Sequence, residues 1–261
     1  MPLSLPEAER LKVFGRQPSI PADLRIYAVG DIHGRLDLLD QLLSLIDTDI
    51  ALHPTSRPLH VFLGDYIDRG AFSRETIDRL IQLRRERECV FLKGNHELIA
   101  LKCLSDRSNL FDQWMRLGGL ETLMSYGVSF GHLASGKPIV ELQAAFHHAL
   151  PQAHLRFFRD LQLSFECGDF FFVHAGVKPG VELSRQMEND LLWIREEFLS
   201  SSEDFGKIVI HGHTPAPDIE VLPNRINIDT GAFATGRLTC LVIADASLSV
   251  IDTLQGESTA R

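Results

Sequence analysis

Five short apolar runs along the chain are each followed at once by a polar segment that contains glycine. The runs are rich in valine, isoleucine and phenylalanine, which is typical of strands buried on both faces. They cover Ile26–Val29, Leu59–Leu63, Cys89–Leu92, Phe170–Val173 and Lys207–Ile210. Between the first three runs, apolar residues recur at helical spacing after Gly34 and over Arg74–Glu88. This alternation predicts a βαβαβ unit and therefore a largely parallel sheet.

The rest of the chain predicts a helical insertion and further strands. The region from Glu97 to Leu161 has few strand-like runs and is broken by Gly118-Gly119, so we predict a helical cap. Met187–Leu199 predicts one helix. Four more strands are predicted over Leu163–Cys167, Arg225–Ile228, Arg237–Ala244 and Leu248–Thr253. We therefore expect an α/β domain over residues 25–254, with the cap at about 97–161, an N-terminal extension over 1–24 and a tail over 255–261.

The formal net charge of -9 argues against non-specific binding to nucleic acid or to anionic membranes. No apolar run approaches the length of a membrane span. The four cysteines lie far apart without a CxxC pair, which favours reduced thiols and a cytoplasmic location.

The polar segments after the five runs carry the candidate chemistry. Open α/β sheets bind ligands beyond the carboxyl ends of their strands, where these segments lie. Asp, His and Asn are oxygen and imidazole ligands, and five strand ends that offer them together predict a two-metal site. The segments are Gly30–Gly34 (GDIHG), Gly64–Gly70 (GDYIDRG), Gly94–Glu97 (GNHE), His174–Gly176 (HAG) and His211–Thr214 (HGHT).

The spacing suggests how the ligands divide between two ions. Asp31 and His33 lie two residues apart at one strand end, and Asp65 completes an oxygen–nitrogen–oxygen set. A carboxylate can bind two cations at once, so Asp65 is the predicted bridge. The second ion is then completed by Asn95, His174 and His213. This mixed set suits manganese, iron or zinc better than calcium.

Other residues of these segments point to phosphate chemistry. Arg69 is suited to bidentate capture of a phosphoryl group. His96 follows Asn95 and is expected to protonate a leaving alkoxide, oriented by Asp68. Arg195 is either a second phosphate clamp or a solvated helical arginine. The roles of His211 and Asp229 remain open at this point, with Asp229 a candidate partner of a metal-binding histidine.

These motifs resemble those of the calcineurin-like metallophosphoesterase superfamily, over roughly Ile26 to Ala244. GDYIDRG with GNHE is most similar to the phosphoprotein phosphatase branch, and Trp114 ahead of Gly118-Gly119 is similar to its bacterial and bacteriophage enzymes of the lambda type. The resemblance implies a four-layer αββα sandwich with two mixed sheets and a dinuclear centre, usually activated by manganese. It implies the ligand set given above, a His96–Asp68 acid pair, and phosphate held by Arg69 and Arg195.

Three functions follow from the resemblance. The first is a serine/threonine protein phosphatase, with phosphotyrosine as a further substrate, which uses a metal-bridging hydroxide for in-line attack on a phosphorylated protein or peptide. The alternative is a symmetrical dinucleoside tetraphosphate hydrolase or other nucleotide phosphatase. The third is a non-enzymatic phosphate-binding module. We expect two divalent ions, manganese before iron or zinc, and neither a nucleic-acid nor a membrane partner.

Overall fold

The computed structural model describes residues 3–5, 13–15, 17–54, 56–105, 110–128 and 139–254. The predicted tail over 255–261 and residues 1–2, 6–12 and 16 of the predicted N-terminal extension lie outside the described residues. Within the described part of the chain the strands are β1 (Leu3–Leu5), β2 (Leu24–Val29), β3 (Arg57–Phe62), β4 (Cys89–Phe91), β5 (Ser164–Cys167), β6 (Phe170–Val173), β7 (Ile208–His211), β8 (Glu220–Val221), β9 (Arg225–Asn227), β10 (Thr239–Ala244) and β11 (Ser247–Asp252).

The helices alternate with the strands in the first half of the chain and cluster in its middle. They are α1 (Leu36–Leu52), α2 (Ser73–Glu86), α3 (Asn95–Ser105), α4 (Leu110–Trp114), α5 (Leu120–Ser125), α6 (Ile139–Ala149), α7 (Gln152–Arg159), α8 (Glu188–Trp193), α9 (Glu196–Leu199) and α10 (Ala232–Thr235). A π-helical turn over Met115–Gly119 joins α4 to α5. None of the described helices is long and apolar enough to cross a bilayer.

The strands form two mixed sheets. The first has the order β1-β11-β10-β2-β3-β4, and its β2, β3 and β4 run parallel. The second has the order β5-β6-β7-β9-β8, and its β6, β7 and β9 run parallel. The strands that precede the five polar segments are thus β2, β3 and β4 of one sheet and β6 and β7 of the other.

Alternation of side chains along the strands builds four layers. Ile26 and Ala28 face the space between the sheets, where they share a core with Phe172 and Ile210. Their neighbour Tyr27 points the other way, into a core shared with helices α1 and α2. On the far side of the second sheet, alternate residues pack against helices α8 and α9 through Phe171, Val209, Leu191 and Phe198. The predicted αββα sandwich with two mixed sheets is therefore confirmed.

Helices α3 to α7, which together form the helical segment, extend the first helical layer. Side chains from all of them join the core that covers the outer face of the first sheet, among them Ile99, Phe111, Leu123, Phe146 and Phe157. The helical segment is therefore anchored to the sheet by apolar packing. Its Trp114, which is fully buried, belongs to this core.

One sequence prediction needs correction. The single helix predicted over Met187–Leu199 is wrong, because Ile194 has ψ 141° and Arg195 has φ -132° and ψ -103°, so the chain forms two short helices, α8 and α9. Residues 187–199 contain no proline or glycine that would signal this break. The non-helical backbone at Ile194 and Arg195 places Arg195 between the two helices. Part of the N-terminal extension, Leu3–Leu5, is an edge strand that pairs antiparallel with β11.

Shortening a side chain in the core between the sheets is expected to destabilise the fold. Phe172 is fully buried there and packs on Phe165, with ring centroids 5.8 Å apart, so Phe172→Ala should lower the free energy of unfolding by about 3–5 kcal/mol. Phe72→Ala is the matched control, because Phe72 is 49% exposed and its loss should cost less than about 0.5 kcal/mol. Chemical denaturation measures both, and equal losses would contradict this account of the core.

Candidate metal centre

The five polar segments meet because their strands end at the same edge of the sandwich. Asp31 and His33 follow β2, Asp65 follows β3, and Asn95 begins helix α3 just after β4. His174 follows β6, and His213 follows β7. All six predicted metal ligands are buried, with relative exposures of 5% or less. The fold thus gathers three imidazoles, two carboxylates and an amide at one point.

The backbone around this point is strained. Six non-glycine residues of the described chain have φ between 47° and 73°, a left-handed conformation that costs about 1–3 kcal/mol each. One of them, Asp245, lies in the β10–β11 turn. The other five are all predicted site residues, namely His33, Asp65, Asp68, Arg69 and His213. Tertiary contacts must therefore hold these residues in place.

Asp65 lies at the centre of the cluster. Its Oδ2 is 3.5 Å from Nε2 of His33, and its Oδ1 is 3.4 Å from Nε2 of His174. Two groups of potential ligand atoms, each spanning no more than 4.8 Å, share this carboxylate: one adds His33 and His96, and the other adds His174 and His213. Asp65 is therefore in the position that a bridging ligand requires.

Asp31 lies outside these two groups of ligand atoms, but both Asp31 and Asn95 contact members of the second group. Oδ2 of Asp31 accepts the backbone N–H of His213 at 3.1 Å, which joins the first polar segment to the fifth. Oδ1 of Asn95 lies 2.9 Å from Nε2 of His174. A Cβ at Gly212 would overlap Asp31 Oδ1, and a Cβ at Gly94 would overlap Asp65 Oδ1, so glycine is required at both positions for the carboxylates to fit.

The donor set fits a divalent metal. Two buried ligand atoms, Oδ1 of Asp31 and Nε2 of His213, have no hydrogen-bond partner among the described residues. Burial lowers the pKa of His33 to about 3 and that of His213 to about 2, so both imidazoles are neutral and able to bind a cation. Burial and the carboxylates of Asp229 and Asp65 raise the pKa of Asp31 well above its usual value. A cation would relieve the repulsion among these carboxylates.

His96 is held beside the cluster by Asp68. Nδ1 of His96 lies 2.6 Å from Oδ2 of Asp68, and both side chains are buried. Burial opposes protonation of this imidazole, but the carboxylates of Asp65 and Asp68 outweigh it and raise the pKa of His96 to about 8. A protonated His96 at neutral pH is able to donate a proton through its Nε2.

The two arginines flank the cluster. Nη2 of Arg69 lies 3.3 Å from Nε2 of His96, and its guanidinium carbon is 4.6 Å from the centroid of the Phe233 ring. Arg195 is exposed, and its Nη1 donates to Oγ1 of Thr214 at 3.2 Å. Because Thr214 follows the predicted ligand His213, the backbone break at Arg195 brings its cation to the rim of the site.

Two residues of the site were not singled out from the sequence. Glu97 is fully buried, and its two carboxylate oxygens accept the backbone N–H groups of Asp65, Tyr66, Ile67 and Gly94 at 2.8–3.3 Å. Its position as the last residue of the GNHE segment, in the first turn of α3, was the available signal. Phe233 in α10 is 38% exposed and lies edge-on to His33 with ring centroids 5.6 Å apart. No sequence pattern marked it.

The structure shows the surroundings of Asp229 and of His211. Asp229 is buried next to Asp31, its Oδ1 accepts the N–H of Gly231 at 2.9 Å, and burial together with Asp65 raises its pKa to about 6. His211 belongs to neither group of ligand atoms; its Nε2 lies 3.3 Å from Nη1 of Arg225, and its ring is edge-on to Phe198. We therefore assign His211 to packing rather than to metal binding.

An αββα sandwich with these donors at the shared end of both sheets has the architecture of a metal-dependent hydrolase. Comparison with known proteins identifies the family. The family model of the calcineurin-like phosphoesterases matches residues 24–236. The chain therefore belongs to the calcineurin-like phosphoesterase family, whose members are hydrolases that use divalent metals.

Relatives of two kinds resemble the chain over most of its length. Bis(5'-nucleosyl)-tetraphosphatase PrpE (asymmetrical) of Anoxybacillus flavithermus is 28% identical over 231 residues, which cover 82% of this chain and 88% of the relative. Serine/threonine-protein phosphatase 2 of Escherichia coli is 28% identical over 223 residues, with 82% and 90% covered. A Saccharomyces cerevisiae serine/threonine phosphatase similar to human phosphatase PP5 shares the fold, with a TM-score of 0.52, 15% identity, and 94% of this chain and 86% of that chain covered.

The contacts of Glu97 predict an indirect effect on metal binding. Glu97→Gln keeps the size of the side chain but turns an amide NH₂ toward backbone donors, so the loop that carries Asp65 should loosen. We expect manganese affinity to fall roughly 10–100-fold and the free energy of unfolding to fall by about 1–3 kcal/mol. Calorimetric titration with manganese and chemical denaturation measure the two effects. Glu75→Gln, on the exposed face of α2, should change neither, and unchanged affinity in Glu97→Gln would refute the prediction.

Proposed function

We propose that this protein is a metal-dependent phosphomonoester hydrolase that acts on phosphoserine and phosphothreonine, and also on phosphotyrosine, in proteins or peptides. The observation that carries the proposal is the buried His96–Asp68 pair beside the predicted metal ligands, in which Nδ1 of His96 lies 2.6 Å from Oδ2 of Asp68. An alkoxide is a poor leaving group that needs a proton as the phosphorus–oxygen bond breaks. A nucleoside phosphate leaves with little proton assistance. A buried acid held by its own carboxylate is therefore suited to phosphate esters of alcohols.

Metal binding, phosphate binding and proton donation are proposed to fall to different residues of this chain. Two divalent ions are proposed to bind to the six ligands, with Asp65 shared, and manganese is the proposed metal. The chemistry that such ions supply is Lewis acidity toward phosphoryl oxygens and activation of water as a nucleophile. Arg69 and Arg195 are proposed to hold the phosphoryl group at the rim, where the cation of Arg69 lies next to His96. His96 then gives the proton on its Nε2 to the departing alkoxide, and Asp68 stabilises the imidazole that remains.

The second candidate is hydrolysis of a dinucleoside tetraphosphate. It is supported by relatives of matching length whose names carry the asymmetrical form of this activity, whereas the sequence motifs led us to consider the symmetrical form. Initial rates with manganese on a phosphoserine peptide, a phosphotyrosine peptide and diadenosine tetraphosphate decide between the candidates. We expect the peptides to be turned over faster. Faster cleavage of the tetraphosphate would favour the second candidate, and its products, ATP with AMP or two ADP, would tell asymmetrical from symmetrical cleavage.

Asp65 provides a test of the proposed dinuclear centre. Asp65→Asn removes the shared negative charge, so both ions should bind more weakly, whereas loss of a ligand to one ion should spare the other. We expect two manganese ions per chain in the wild type and fewer than one in Asp65→Asn, measured by elemental analysis after dialysis against manganese. Asp40→Asn is the control, since Asp40 pairs with Arg79 on the protein surface. One tightly bound ion in Asp65→Asn would refute the bridging role.

His96 provides a test of the proposed acid. His96→Asn should slow hydrolysis of a phosphoserine peptide by ~10²–10⁴-fold. The loss on p-nitrophenyl phosphate should be far smaller, because p-nitrophenolate leaves without much proton assistance. Arg69→Ala is the matched comparison. It should slow hydrolysis of both substrates by similar factors, since both present the same phosphoryl oxygens. Steady-state kinetics on the two substrates measure this, and equal losses in His96→Asn would show that the acid is misassigned.

A further inference from the structure

Asp68 is held by two side chains from the helical segment as well as by its contact with His96. Nε1–H of Trp114 donates to Oδ2 of Asp68 at 2.8 Å, and Oγ1–H of Thr122 donates to Oδ1 at 2.6 Å. Oδ2 is the same oxygen that faces Nδ1 of His96. Asp68, Trp114 and Thr122 are all fully buried. Both oxygens of this carboxylate are therefore fixed, and its plane is set by donors outside the metal cluster.

The same segment, together with Ser73 of α2, also fixes the backbone at this point. The N–H of Asp68 donates to Oγ1 of Thr122 at 2.9 Å and to Oγ of Ser73 at 3.0 Å. The N–H of Arg69 donates to the carbonyl oxygen of Gly118 at 3.0 Å. Asp68 and Arg69 have φ of 73° and 67°, so these bonds hold two consecutive residues in a conformation that is unfavourable without support.

Packing holds Trp114 itself in one orientation. Its ring is edge-on to Phe111 at 5.6 Å between centroids and tilted against Phe146 at 5.1 Å. The π-helical turn after it brings the backbone of Gly119 against the indole, where a Cβ would overlap the ring. The indole N–H is thus directed at Asp68 by a rigid part of the core.

We propose that Trp114 and Thr122 are positioning residues of the general acid: they orient the Asp68 carboxylate so that it fixes the imidazole of His96. The inference rests on the proposed function, because it assigns the two residues an effect that passes through His96. Thr122 has one proton to donate, and Oδ1 of Asp68 at 2.6 Å is a closer and more strongly accepting partner for it than Oγ of Ser73 at 3.0 Å. Without that bond only Oδ2 of Asp68 is held, so the carboxylate is less restrained about its Cβ–Cγ bond and the imidazole is less well oriented. A small misplacement of a catalytic group costs up to about 10²-fold in rate.

Paired variants of Thr122 separate the hydroxyl from the side-chain volume. Thr122→Val removes the hydroxyl at nearly constant size, whereas Thr122→Ser keeps it. Trp114→Phe removes the indole N–H and keeps an aromatic ring against Phe111 and Phe146. We expect Thr122→Val and Trp114→Phe to lower kcat on a phosphoserine peptide roughly 10–100-fold, with kcat on p-nitrophenyl phosphate and both KM values changed less than about threefold. Thr122→Ser should stay within about threefold of the wild type on both substrates.

A double variant gives the sharpest readout. If Thr122 acts only through His96, then Thr122→Val added to His96→Asn should cause no further loss on the phosphoserine peptide. Equal losses on both substrates in Thr122→Val and Trp114→Phe, or losses that multiply in the double variant, would overturn the inference. Thermal unfolding of each variant identifies a general folding defect, and Trp114→Phe carries the test if Thr122→Val does not fold.

The outcome for His96→Asn distinguishes this inference from the function on which it rests. If His96→Asn is selective for the phosphoserine peptide while Thr122→Val and Trp114→Phe behave like the wild type, only the positioning role is refuted. If His96→Asn affects both substrates equally, the proposed acid is refuted, and the positioning role is refuted with it.

Discussion

The structure depends on the burial of several carboxylates in one small volume. Asp31, Asp65, Asp68 and Asp229 are each 3% exposed or less, and they lie near one another at the end of both sheets. Burial of charge at this density is unfavourable unless opposite charge or hydrogen-bond donors compensate it. Part of the compensation comes from His96, Trp114 and backbone N–H groups, and the unpaired ligand atoms of Asp31 and His213 identify where divalent cations would supply the rest.

The arrangement requires several site residues to adopt a strained backbone conformation. A strand end delivers a side chain in a fixed direction, and five of the side chains reach the site only because their backbone adopts a left-handed conformation. Glu97 fixes the Asp65 loop through backbone N–H groups, and the Trp114–Thr122 segment fixes Asp68 and Arg69. The helical segment therefore forms part of the wall of the site as well as part of the core.

The sequence was informative where local pattern and topology coincide. Buried runs such as Ile26–Val29 predict strands, and the rule that parallel strands end at a common edge brings Asp31, Asp65 and Asn95 together without any knowledge of side-chain contacts. The αββα architecture and the family were predicted from the resemblance of the motifs to a known family, and both are confirmed. The metal-ligand and catalytic roles remain predictions, although the structure does bring these side chains together.

Other features could not be predicted because they depend on distant contacts. Trp114 and Thr122 lie 46 and 54 residues from Asp68, and nothing in the spacing indicates that they share its carboxylate. The break before Arg195 interrupts a pattern that favours one continuous helix, so tertiary packing overrides local propensity there. No periodic apolar pattern marks the position of Phe233. Only the folded chain brings its ring against the guanidinium of Arg69.

The most direct test of the central claim is anomalous scattering from crystals of the protein grown with manganese. We expect two peaks at the shared end of the sheets, one on each side of the Asp65 carboxylate, with His33 beside one peak and His174 and His213 beside the other. A single peak, or peaks away from Asp65, would contradict it.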